Sequence, residues 1–298
     1  MLASHDLLAL GAAACWATGS IISVHPSRHL GAFAFTRWRM LMVALMLWAV
    51  SLASGSWRSL APESWSVMAT SGLIGIFVGD TALFAAMNRL GPRRSGVLFA
   101  THAMFSALLG FFWLGERMNP QAAWGSLLTM SGVITAILMG RDKEDRHAWE
   151  ADRGHVGAGV ALGLLAALCQ AVGSLIAKPA MSGELDPIAA SAVRVSVACA
   201  AHFVLLWIGF PLARAQQAPT LRVLAQTALN GLIAMGVGMT LILLALKGGD
   251  VGMVAILSSV SPVLVLPLLW LRLGRAPALG AWLGAALTVL GTALILSR

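Results

Sequence analysis

Charge is scarce in this chain: only 11% of its 298 residues are Asp, Glu, Lys or Arg, against 58% hydrophobic. Soluble domains carry roughly a quarter charged residues, so a single water-soluble core is excluded as a starting point. Cysteine is scarce too. Cys15, Cys169 and Cys199 lie within apolar runs and have no CxxC spacing, which argues against a metal centre and reads them as small packing residues. No HExxH, no GxSG-type serine and no GxxxxGK[ST] loop occurs, so neither an intramembrane enzyme nor direct ATP drive is expected, and no cofactor or metal is implied. The N-terminus has no basic n-region or A-x-A cleavage site after a short apolar stretch, and residues 7–24 read as a retained first span.

What is present is a series of long apolar runs bounded by short charged clusters. A helix needs about 20 apolar residues to cross the hydrocarbon. Ten runs approach that length, at 6–24, 31–53, 64–87, 95–114, 119–139, 156–177, 187–210, 223–246, 251–271 and 277–297. The expected fold is therefore an all-α membrane protein. Connections such as Gly115-Glu116-Arg117-Met118 are short enough to make neighbouring helices antiparallel hairpins. Trp57, Trp65, Trp113, Trp124, Trp270 and Trp282 fall near predicted span ends, where an amphipathic ring favours the headgroup level. One solvated break, 141–155, divides a first five-helix unit (1–140) from a second (156–298).

The two units repeat one another. Residues 72–135 align with 231–294 without a gap, at an offset of 159. The register matches Gly72-Leu73-Ile74 with Gly231-Leu232-Ile233, Val78-Gly79 and Thr81 with Val237-Gly238 and Thr240, and Gly125, Thr129 and Gly132 with Gly284, Thr288 and Gly291. The first spans match at an offset of 154, Cys15, Ala17, Gly19 and Ser20 against Cys169, Ala171, Gly173 and Ser174, and Arg37 is paired with Arg194 in the second spans. Five helices per unit is an odd number, so the second unit enters the membrane from the opposite side. Inverted repeats of this kind provide a route to alternating access; the alternative is a duplication kept only for packing.

The ends of the two units resemble the EamA-type branch of the drug/metabolite transporter superfamily. The resemblance rests on Leu114-Gly115-Glu116-Arg117 followed by Gly125 and Gly132, and on the degenerate copy Leu273-Gly274-Arg275, Gly284 and Gly291. Trp16-Ala17-Thr18-Gly19 and Ser261-Pro262-Val263 are similar to the family's first-span and ninth-span motifs. The resemblance implies ten helices around a central cavity, and export of amino acids, including aromatic ones, or of related metabolites or drugs. A multi-pass inner-membrane monomer in contact with lipid and a small-molecule substrate is the expected setting. A proton-coupling glutamate of the first span, carried by small multidrug members, is missing; Cys15-Trp16 stands in that region.

Polar groups within a span are functional candidates because the bilayer core offers them no water. Asp80 is the carboxylate well inside a span; with Phe77, Thr81 and Phe84 it forms a stripe on span 3. It either receives a substrate ammonium or pairs with Arg37 or Arg39. Phe99 and His102 share a face of span 4, with Ser258 and Ser261 as their counterparts in span 9. Trp16 in span 1 and Gln170 and Ser174 in span 6 approach the centre from two sides, and Thr240 matches Thr81. Each of these either lines a substrate cavity or packs. Gly79, Gly238 and Pro262 are candidate gates, with span 9 expected to bend at Pro262. A passive channel or facilitator would share these polar faces.

The net charge of +8 does not point to nucleic acid, since the basic residues are spread over inter-span segments. Assigned to the nearest span end, six lie on the side of the termini and fourteen on the other. The positive-inside rule then places both termini outside, whereas the family resemblance pulls towards cytoplasmic termini.

Overall fold

A computed structural model describes residues 4–139, 156–273 and 278–296, all helix or short connection among the described residues. The charged segment 141–155 and Arg275 lie outside them. The long helices are α1 (Ser4–Leu30), α2 (Ala32–Ser54), α3 (Pro62–Gly91), α4 (Arg94–Leu114), α5 (Pro120–Met139) and α6 (Val156–Met181). They continue with α7 (Pro187–Trp207), α8 (Leu221–Gly248), α9 (Val251–Ser258 and Ser261–Leu273) and α10 (Leu279–Leu296). Eight of them, α1–α4 and α6–α9, are long and apolar enough to cross a membrane, and α10 contributes a shorter apolar stretch. The first helix runs further than its apolar run suggested, to Leu30. The chain then turns into α2 on Gly31, whose φ of 81° is a conformation L side chains rarely adopt.

The packing joins one unit to the other. Helix α1 lies against α8 and α9, α6 against α3 and α4, α2 against α7, α4 against α9 and α5 against α10. Exchanging the two units maps this set of contacts onto itself. The α5–α10 pair shows why the repeated glycines are needed. A Cβ at Gly132 would enter the backbone of Thr288 and Gly284, and one at Gly291 would enter that of Thr129 and Gly125. Small residues let two backbones touch, which is how helices associate where lipid removes any hydrophobic drive.

Two departures from ideal helix recur at matched positions. Residues Gly72–Val78 in α3 and Gly231–Met239 in α8 are π-helical. Helix α4 loosens at Thr101, ahead of His102, and α9 at Ser259–Val260, ahead of Ser261. The bend in α9 thus precedes Pro262, which is the second residue of the following segment, where a missing N–H costs nothing. Proline is not required for the break, because α4 has Ala103 at the matching place. Hydroxyls bonded back to the preceding turn, Thr101 to Leu98 O at 2.6 Å and Ser259 to Ile256 O at 2.7 Å, are shared by both sites.

Glu116, from the first unit's terminal motif, caps a helix of the second. Its carboxylate accepts from Val251 N at 2.8 Å and Gly252 N at 3.2 Å, the first N–H groups of α9, while Asp250 at the N-cap makes no side-chain bond. Gly110 is side-chain-free because a Cβ there would strike this carboxylate. In the reverse direction the matched positions are Pro92 and Arg93. Proline offers no N–H to cap, and the second unit accordingly carries Arg275 where the first has Glu116. Glu116→Ala is expected to cost about 1–3 kcal/mol, the range for stranding buried donors. A thermal-unfolding series in detergent checks it, and a variant melting with the parent would remove the cap from the account.

Candidate functional site

Two crossings hold the centre together, and they are built alike. Where α8 crosses α1, Asn230 Nδ2 donates to Gly19 O at 2.7 Å, Ala234 sits on Gly19, and Gly238 lies against the Cβ of Cys15. Where α3 crosses α6, Ser71 Oγ donates to Gly173 O at 2.6 Å, Gly75 sits on Gly173, and Gly79 lies against the Cβ of Cys169. The partners recur every four residues through a π-helical stretch. An i→i+5 helix turns less per residue than an α-helix, so positions four apart stay on one seam. Cys15 and Cys169 are packing residues, as their apolar settings suggested.

The seam also exposes a carbonyl to a side chain. Trp16 Nε1 donates to Ala234 O at 3.0 Å, within the π-helical stretch of α8. Its ring meets Phe99 and His102 edge-on, each at 6.4 Å between centroids, and Phe99 and His102 lie 5.1 Å apart. Trp16 of α1 and Phe99 and His102 of α4 therefore form one aromatic group, with His102 buried and the other two rings half-buried.

The stripe on α3 divides between two neighbours. Asp80 forms a buried, hydrogen-bonded ion pair with Arg39 of α2. Of the two arginines considered as its partner, Arg39 is the one; Arg37 instead donates to the carbonyl of Ala213 beyond α7 and lies 5.9 Å from the Phe203 ring. Arg39 is held on its other faces by Phe84 at 4.6 Å, Phe35 at 5.4 Å and Asn230 Oδ1 at 3.4 Å. Such stacking suits a weakly hydrated planar cation. Phe77 and Thr81 turn towards α7, where His202 lies 4.8 Å from the Phe77 ring and 3.2 Å from Thr81 Oγ1.

The remaining candidates are dispersed. Gln170 and Ser174 are buried on α6. Thr240 is engaged with Ser191 Oγ at 3.0 Å and Gly236 O at 2.6 Å, and Ser258 bonds back to Ala255 O at 3.0 Å. Ser261 and Pro262 are half-buried just past the break in α9.

The structure also changes which arginines correspond. Gly72 packs on the backbone of Arg194, and its repeat mate Gly231 packs on Arg39 and Val43. Arg39 and Arg194 are hence the equivalent pair, and Arg37 has no counterpart in α7. The α1–α2 and α6–α7 connections differ in length, so the offset between units is not constant, and Arg37 was matched to Arg194 on a neighbouring register. His202 and Asn230 have no place in the sequence reading, and Arg194 enters it only with Arg37, as an organiser of helix ends or a binder of carboxylate, although a polar residue inside an apolar run is signal enough to find all three.

Comparison with known proteins follows this geometry. A family model described as the EamA-like transporter family matches residues 3–138 and again 157–297. No curated protein matches the chain. A solved crystal structure, described only as that of a protein, superposes with a TM-score of 0.78 at 21% identity, over 99% of this chain and 96% of that one. At that identity the likeness is one of fold.

Proposed function

The chain belongs to the EamA-like transporter family as a multi-pass membrane protein, and from this we propose that it exports small metabolites, amino acids foremost, by alternating access. In this reading α5 and α10 also cross, giving ten helices in two inverted five-helix units within an inner membrane, and the chain works as a monomer. The observation that carries the reading is the pair of matched crossings. The same side-chain-to-carbonyl bond, the same small-residue contact and the same π-helical stretch occur at Asn230–Gly19 and Ser71–Gly173. Two equivalent seams can exchange conformations, which moves a chamber between them from one face to the other.

Trp16, Phe77, Phe99 and His102 are the side chains we assign to an aromatic wall of that chamber, with Gln170, Ser174, Thr240, Ser258 and Ser261 as polar positions around it. Gly79, Gly238 and the break before Pro262 are the hinges. Asp80 serves this site through Arg39 rather than by receiving a substrate ammonium. Counterflow is the decisive measurement. Proteoliposomes preloaded with an unlabelled amino acid should accumulate its labelled form transiently above equilibrium. A channel or facilitator without alternating access gives equilibration with no overshoot, and that outcome would end the exchange reading.

A further inference from the structure

Arg39 and Arg194 occupy equivalent places in the two units and each leaves its Nε without a partner among the described residues, yet only Arg39 has side-chain acceptors for its other nitrogens. Arg39 has the carboxylate of Asp80 and the amide oxygen of Asn230. Exchanging the units, the residues that match these two are Met239 and Ser71. Methionine offers no charge, and the Ser71 hydroxyl, which donates to Gly173 O, makes no hydrogen bond with Arg194.

Arg194 is therefore a guanidinium 1% exposed, whose Nε has no hydrogen-bond partner. The carboxylate whose field reaches it is that of Asp80, which is itself hydrogen-bonded to Arg39. Two buried guanidiniums, Arg39 of α2 and Arg194 of α7, share the field of the one buried carboxylate of α3. A buried charge in a span that feels a carboxylate but is hydrogen-bonded to none is expensive, and such residues mark sites that meet their partner during function.

We propose that Arg194 is the receptor for a carboxylate on the transported solute, filling the place that Asp80 fills for Arg39. Gly75 allows the guanidinium to lie against the π-helical stretch of α3, its Nη2 being 3.2 Å from where a Cβ would stand. The solute's anionic group approaches past Asp80, whose side chain keeps 12% of its accessibility. The aromatic wall of Trp16, Phe77 and Phe99 then holds the apolar remainder. This rests on the transporter reading and narrows its substrate class to carboxylates, zwitterionic amino acids included.

The test is equilibrium dialysis of the purified full chain in detergent against radiolabelled L-phenylalanine, 3-phenylpropionate and phenethylamine. These probes differ in whether they carry the carboxylate, the ammonium or both. The two carboxylates should bind, and phenethylamine should bind roughly 10- to 100-fold more weakly, the value of a hydrogen-bonded charge. Arg194→Gln should erase that preference. Met239→Asp, which puts a carboxylate at the position that matches Asp80, should weaken the acids by a similar factor while the protein stays monodisperse. Phenethylamine binding as tightly as the acids to the parent chain, or no binding of either acid, overturns the proposal whatever the variants do. Unchanged acid affinity in folded Met239→Asp or Arg194→Gln does so too. Acid binding without counterflow overshoot leaves Arg194 its role and removes alternating access instead.

Discussion

Asp80→Asn should destabilise the protein by about 3–5 kcal/mol, the range for breaking a buried pair from one side. The loss does not measure what the pair contributes. It reflects Arg39 left in a low-dielectric interior among Phe35, Phe84 and Asn230, with Arg194 deprived of its neighbouring charge as well. Removing both partners tells the two apart. In Arg39→Met with Asp80→Leu neither partner is left as a lone charge, and the part of the stability lost through Arg39 should return while the part lost through Arg194 should not, because apolar replacements of a buried pair are often neutral. Thermal unfolding of the two single variants and the double variant in one detergent completes the cycle. Additive losses would mean that Asp80 and Arg39 are not energetically coupled, whatever their contact.

Gly132→Leu is the second large effect expected, and its origin is steric rather than electrostatic. The site of the new Cβ is already occupied by the backbone of Thr288 and Gly284, so α10 must move away from α5 along its length. Overpacking costs roughly 1–3 kcal/mol in ordinary cores. Here the obstruction is backbone, which cannot rotate aside, and the upper end of that range or beyond is expected. Gly291→Leu should behave alike, since it meets Thr129 and Gly125 in the mirrored arrangement. Both sites lie away from the Asp80–Arg39 centre, so ligand affinity of the surviving folded fraction should be retained. A loss of affinity equal to the loss of stability would show that the α5–α10 pair shapes the chamber.

Several features were legible before any coordinates because their causes are local. An apolar run of given length becomes a helix, and the observed helices fall on the predicted runs to within a few residues, α1 excepted. The glycines at 125, 132, 284 and 291 mark the repeat in the sequence, and their close packing of α5 on α10 is visible only in the structure. The π-helical stretches left no such trace. They insert within an apolar run where every residue is hydrophobic or small, and periodicity has no contrast to report.

What the linear order determined by itself was the membrane class and the placing of the helices, which depend on residues near one another in the chain, and the duplication, which needs only the comparison of one stretch with another. What only the tertiary structure decided was the allocation of partners: Arg39 rather than Arg37 for Asp80, Arg39 rather than Arg37 as the twin of Arg194, and the bend before Pro262. Three buried arginines lie on helices packed around one carboxylate and two of them feel its charge, while unequal connections shift the register between units. Which groups meet is then set by how the helices cross, a quantity no single stretch of sequence contains.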